Sequence, residues 1–184
     1  MVMTPGRVVL TYQDYAALPN DGRRYEIHEG ELSVTAAPGS KHQIVSMRLG
    51  AALHTHVEAR GLGIVVAAPL DVILTDRTVV QPDIVYVATD RTARISERGI
   101  EGAPTLVVEI LSPSTRETDR GAKLRLYASY GVPWYWIVDS DARAVEAYRL
   151  EAGRYTLIKR AAGDEPFGAE PFPDLAIAPA AFWA

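Results

Sequence analysis

Two carboxylates stand where a purely structural strand would not place them. Asp83 follows Pro82 at the head of the apolar run Ile84-Val-Tyr-Val87, and Glu109 interrupts Leu106-Val-Val-Glu-Ile-Leu111 with apolar residues on both sides. Carboxylates are rarely buried unless they are paired or bind a metal. Two of them on neighbouring strands repel unless a divalent cation or a shared proton stabilises them. Hard oxygen ligands of this kind suit magnesium or manganese, which accept few protein carboxylates and keep several waters. A plainer reading, that each acid meets an arginine or caps a loop, fits the pattern as well. Lys123, in Arg120-Gly-Ala-Lys-Leu-Arg-Leu-Tyr127, lies at the edge of a helical apolar stripe. From there an ammonium could reach Glu109 and steady a water or a phosphate, although a boundary lysine more often sends its charge to solvent.

The remaining polar clusters promise less. Glu26, Glu29 and Glu31 surround His28, and Glu29 and Glu31 are two apart on an extended segment, so they share one face. A solvated strand face explains them. His42 shares a helical face with Val45 and Leu49 and points inward, as a satisfied core histidine would. His54 and His56 are two apart in a helix and diverge, and His42 lies nearly four turns from His56, so no histidine pair can chelate one ion. There is no GxGxxG after a strand, no GxxxxGK[ST], no GxSxG and no HExxH.

The elements that must position these residues can be read from pattern. Thr11-Tyr-Gln-Asp14 caps a short helix, Tyr12 to Leu18, and Tyr25–Val34 alternates about Gly30 as a hairpin. Ser40-Lys-His-Gln43 is a capping box for a helix with apolar residues at Val45, Leu49, Leu53 and Val57, ending at Gly61. Strands follow over 63–74, 78–88 and 105–111; the β-branched runs of the last two suit strands covered on both faces. A second capping box, Ser114-Thr-Arg-Glu117, opens a helix to about Tyr130. Trp134–Val138, Val145–Leu150 and Arg154–Lys159 are further strands. The tail from Gly163 is Pro-rich but carries Phe167, Phe172, Leu175, Phe182 and Trp183, an apolar load that docks on the body. Strands separated by helices predict a mixed α/β sheet with helices packed on it.

Size and composition bound the answer. At 184 residues the chain fits one domain, 1–184, with an N-terminal helix and hairpin (about 11–36) and a C-terminal docking tail (about 163–184). Its 48% hydrophobic and 23% charged residues are globular proportions. Having no cysteine, it can form neither a disulfide scaffold, a thiolate zinc site nor a Cys nucleophile. No apolar stretch approaches the roughly 18 residues of a membrane span, and the start lacks a signal-peptide pattern, so a cytoplasmic protein is expected. A net charge of −4 argues against a broad basic nucleic-acid surface but leaves room for a local groove, for which Arg116, Arg120, Lys123 and Arg125 are candidates.

Several stretches together resemble one family: Tyr25-Glu-Ile-His-Glu-Gly-Glu-Leu32, His42-Gln43, Gln81-Pro-Asp-Ile84, Gly102-Ala-Pro-Thr-Leu-Val-Val-Glu-Ile-Leu-Ser-Pro-Ser-Thr115, Asp119-Arg-Gly-Ala-Lys-Leu124 and Gly131-Val-Pro-Trp-Tyr-Trp-Ile-Val-Asp139. They are similar to the Uma-type restriction endonuclease family, a branch of the PD-(D/E)XK nuclease superfamily, from about Thr11 to Phe182. The resemblance implies a restriction-endonuclease-like α/β (α+β) core, a central mixed sheet flanked by helices with the site at one sheet edge. It implies that Asp83 and Glu109 bind magnesium or manganese. The sequence departs from the superfamily pattern two residues after Glu109, where Leu111 replaces the motif lysine; Lys123 is the natural substitute. Glu31 resembles a further acidic position of the family and His42 a polar one near the site. The activity implied is cleavage of DNA phosphodiester bonds. Aromatic residues near the C-terminus and a paired cut both suit a two-fold homodimer, and no membrane partner is expected. The alternative is a nuclease-fold protein of weak or no catalysis that binds nucleic acid or protein. A third reading is hydrolysis of another phosphodiester.

Overall fold

The structure, a computed structural model, describes residues 8–183. Helix α1 (Tyr12–Ala16) is capped by Asp14, whose Oδ2 accepts from the Thr11 backbone N–H at 2.8 Å. The hairpin follows as β1 (Arg24–His28) and β2 (Glu31–Thr35), closed by Glu29 and Gly30 with φ of 52° and 88°. Two successive positive φ values match the right-handed twist of the strands. At Gly30 a Cβ would lie 2.4 Å from Val9, so only glycine fits. Helix α2 (Ser40–Glu58) then buries Val45, Leu49, Leu53 and Val57. Its cap is Gly39, one residue before the expected Ser40, and no side chain caps it.

The stretches 63–74 and 78–88 do not run as single strands. They divide into β3 (Gly63–Ala67), β4 (Val72–Thr75), β5 (Thr78–Val80) and β6 (Ile84–Ala88), and each division contains a proline, Pro69 or Pro82. Proline donates no ladder hydrogen bond and restricts its predecessor, so the chain leaves one sheet for another there. Short strands β7 (Ile95–Ser96) and β8 (Gly99–Glu101) precede β9 (Leu106–Ile110). Two sheets of six strands result. The central one has the order β12-β11-β10-β9-β6-β3, with β10 (Trp134–Asp139), β11 (Ala144–Glu151) and β12 (Arg154–Ala162). The second has the order β2-β1-β5-β4-β8-β7, a sheet the sequence reading did not foresee. The central sheet is mixed: β9 and β10 are parallel, and its other neighbours antiparallel.

Side-chain alternation sorts the core into two layers. Ile84, Tyr86, Leu106, Val108, Ile110, Trp136 and Val138 face α2 and the tail. Val85, Val87, Val107, Leu111, Tyr135 and Ile137 face the second sheet and the helix after β9. That helix is not continuous from Ser114 to Tyr130. It consists of α3 (Arg116–Thr118), a π-helical turn (Asp119–Lys123) and α4 (Leu124–Ser129). In place of the Ser114 capping box, Ser112 and Thr115 exchange backbone-to-hydroxyl hydrogen bonds at 3.2 Å. The tail forms β13 (Phe167–Ala169), β14 (Phe172–Ile177) and α5 (Ala180–Trp183). Its phenylalanine rings are buried: Phe167, Phe172 and Phe182 are each 1% exposed. Buried in this way, these three rings offer no surface to a partner, whereas Trp183 is half-buried. No described helix is long and apolar enough to cross a membrane.

Candidate active site

The site lies where β6 and β9 meet. Their antiparallel register pairs Ile84 with Val108 and Val85 with Val107. One further step sets Asp83 beside Glu109, both on the parity of Val85 and Val107 that faces the second sheet. Asp83 is clamped from three sides. Its Oδ1 accepts from Arg24 Nη2 at 2.9 Å; its Oδ2 accepts from the Ile110 backbone N–H at 2.7 Å and lies 3.0 Å from His42 Nε2. Arg24 comes from β1 and His42 from the first turn of α2, so three separate elements fix one carboxylate.

Glu109 receives both its hydrogen bonds on Oε1, from Lys123 Nζ at 3.0 Å and Tyr127 OH at 2.7 Å. Lys123 reaches it from the π-helical turn and also donates to Glu26 Oε1 at 2.9 Å. Glu26 in turn accepts from the Gln81 N–H at 2.8 Å and lies 3.1 Å from His28 Nε2. Leu111, at the position where the superfamily pattern has lysine, is 5% exposed and packs in the core. The wide turn directs Asp119 and Lys123 inward together, at 1% and 4% exposure, while Arg120 and Ala122 face outward.

Electrostatics separate the four acids. Burial would raise Asp83, but the His42 hydrogen bond, Arg24 and the Ile110 N–H outweigh it and hold the carboxyl below its ordinary range. Burial would likewise raise Glu26, yet Lys123 and His28 push it far down. Glu109 goes the other way, to about 8: burial dominates, Lys123 opposes it, and Asp119, Asp83 and Glu26 add repulsion. Asp119 is raised for the same reason, burial first. The two partners of Lys123 differ because Glu26 has further donors and Glu109 faces three other acids. Lys123 itself is held well above the ordinary lysine range, its carboxylates overcoming the cost of burial.

These groups open onto a cavity of about 220 Å³ that also includes Ser33 and Thr35 of β2, Pro38, and Ser112 to Thr115. Four carboxylates line it against Arg24 and Lys123, so its formal charge is −2 with every acid ionised and histidine neutral. That surplus, on hard oxygen donors, fits a divalent cation. Among the described residues no three His, Asp or Glu side chains converge closely enough to enclose a metal. A cation held here would keep much of its water, as magnesium commonly does.

Of the residues singled out by sequence, Asp83, Glu109, Lys123 and His42 share this cavity. Glu31 does not: it is exposed at the far end of β2, register-paired with His28, and lies in a different depression with Leu10 and Leu32. Four participants escaped notice: Arg24, Glu26, Asp119 and Tyr127. Glu26 had been grouped with solvated acids, yet it is 4% exposed. Its signal was the alternation Arg24, Glu26, His28 on one strand face, an arrangement of opposite charges more typical of a network than of a wet surface. Of the four cations considered for a local groove, Arg116 pairs with Asp139 and Asp141, Arg120 pairs with Asp139 and Glu146, Lys123 is buried, and Arg125 is exposed on α4.

A mixed sheet whose adjoining strands bring an aspartate and a glutamate together, beneath a helix that supplies lysine, is the restriction-endonuclease-like fold. A crystal structure from Anabaena variabilis, described as "a putative nuclease belonging to DUF820", has the same architecture: TM-score 0.76, 20% identity, 95% of this chain and 97% of that one covered. The chain belongs to the Uma2 family, described as "Putative restriction endonuclease", whose model matches residues 12–180. An uncharacterized protein of Synechocystis sp. is 29% identical over 143 residues, 77% of this chain and 74% of that protein.

Proposed function

We propose that the protein is a divalent-cation-dependent endonuclease that hydrolyses phosphodiester bonds in DNA. The observation that carries this reading is the placement of Asp83, Glu109 and Lys123 on one cavity whose acids outnumber its cations. Asp83 and Glu109 would hold magnesium or manganese, which polarises a phosphate and lowers the pKa of water. Arg24, His42 and the Ile110 N–H fix the Asp83 carboxylate, so its geometry is set before any ligand arrives. Lys123 stays protonated at every physiological pH and can only donate. It is therefore no general base; its part is to orient the attacking water or offset charge growing on the phosphoryl oxygens. Tyr127 and Lys123 together hold Glu109 to one orientation.

The test is nicking of supercoiled plasmid in magnesium or manganese. Wild type should nick, and Asp83→Asn and Lys123→Met should lose on the order of 10²-fold or more while melting cooperatively. Equal nicking by wild type and both variants would overturn the assignment. One observation favours the second reading, a nuclease-fold binding protein: Lys123 is already engaged by two carboxylates and Arg116 and Arg120 by three others. Nucleic-acid or protein binding by a wild type that leaves DNA intact would support that reading.

A further inference from the structure

Asp119 stands apart from the other acids of the cavity. Asp83 has three donors, Glu26 has donors on both oxygens, and Glu109 has two on Oε1. Asp119 is 1% exposed, yet its Oδ1 has no hydrogen-bond partner. The nearest cation, Lys123 Nζ, is 3.8 Å away, beyond hydrogen-bonding distance and already committed to Glu26 and Glu109. A buried carboxylate oxygen without a donor is costly, and a bound water or ion is one of the partners that offset such a cost in native proteins. The feature is built by the backbone, since the π-helical turn aims Asp119 and Lys123 together into the cavity, and such turns recur at functional sites.

We infer that Asp119 is an outer-sphere residue of the proposed cation site, its Oδ1 accepting from a water of the ion's hydration sphere. The inference rests on the cation reading above and extends it. With no three acidic or histidine side chains among the described residues close enough to enclose an ion, Asp83 and Glu109 would leave several positions to water, and those waters need acceptors. Asp119 lines the same cavity, and its fully buried Oδ1 has acceptor capacity to spare.

The experiment is calorimetric titration of Mn²⁺ into the full chain, for wild type, Asp83→Asn and Asp119→Asn, with thermal melting of each in chelator. Wild type should bind one ion and Asp83→Asn none. Asp119→Asn should bind at least tenfold more weakly, while its melting temperature in chelator stays equal to or above that of wild type. Wild-type affinity in Asp119→Asn, with binding lost in Asp83→Asn, would overturn the inference and leave the cation site standing. A fall of several degrees in chelator, or failure to fold, would instead make Asp119 a structural partner of Lys123 and overturn it too. Absence of Mn²⁺ binding in wild type would remove the cation reading and this inference with it.

Discussion

Glu109 carries the sharpest consequence of crowding acids around one ammonium. Its carboxyl titrates at about 8 in the folded chain, against an ordinary value of 4.5, chiefly because burial disfavours the charge. Between those two values the unfolded carboxyl is ionised and the folded one protonated, so the folded state binds the extra proton. Stability in chelator therefore falls as pH rises through that window, and Glu109→Gln should flatten the slope. Melting curves of both proteins from pH 5 to 8.5 check this, and an unchanged slope in the variant would refute it. At this scale the sequence was legible where the chain itself declared a misfit. Asp83 and Glu109 each interrupt an apolar run, so burial followed directly. Glu26 declared nothing of the kind, because its meaning depends on Lys123, 97 residues further on. Spacing along one strand cannot carry that information.

At the scale of elements, the π-helical turn is the part whose position matters most, and it is pinned from outside. Arg116, just before the turn, and Arg120, within it, both reach Asp139 at the end of β10, at 2.7 and 3.1 Å. Asp139 also accepts from the Ala142 N–H at 3.0 Å. The Arg116 hydrogen bonds, more than any other influence, hold its carboxyl well below the ordinary range. Because the folded pKa is depressed, the contribution is complete above the unfolded value and disappears as pH falls through it to the folded one. Asp139→Asn should cost about 1–3 kcal/mol at pH 7, from the strength of charged hydrogen bonds, and the difference should narrow as pH drops below about 4. Urea unfolding at the two pH values measures it. Pattern located the hairpin, α2, β9 and β10 because each is a local signal repeated over several residues. It missed the divisions at Pro69 and Pro82, since only the sheet that receives a strand decides whether a proline bends it or ends it. The interruption at Asp119 was equally hidden, because no residue type there demands a wider turn.

For the whole molecule, charge decides how a polyanion would be met. At least ten of the 19 Lys and Arg side chains form internal ion pairs, and the net charge is −4. Those side chains already answer carboxylates of the chain itself, so their charge is less available to release counterions from DNA. Binding of a DNA duplex should then require a divalent cation, and log Kd against log salt should have a slope of magnitude below about 3, where each phosphate contact contributes about 0.9. Fluorescence anisotropy across a salt series tests this; a slope near 6 would refute it. The acidic balance was plain in composition, whereas the pairing of individual arginines was not. The Lys123 ammonium also has a meaning in time. It joins Glu26, Glu109 and its own turn, so the cavity needs the first hairpin, β9 and the helix after it all in place. A chain emerging from the ribosome makes Glu26 early and must wait for Lys123. Until that closure the acids of the cavity lie on separate segments, and a nascent or partly unfolded copy holds no assembled centre.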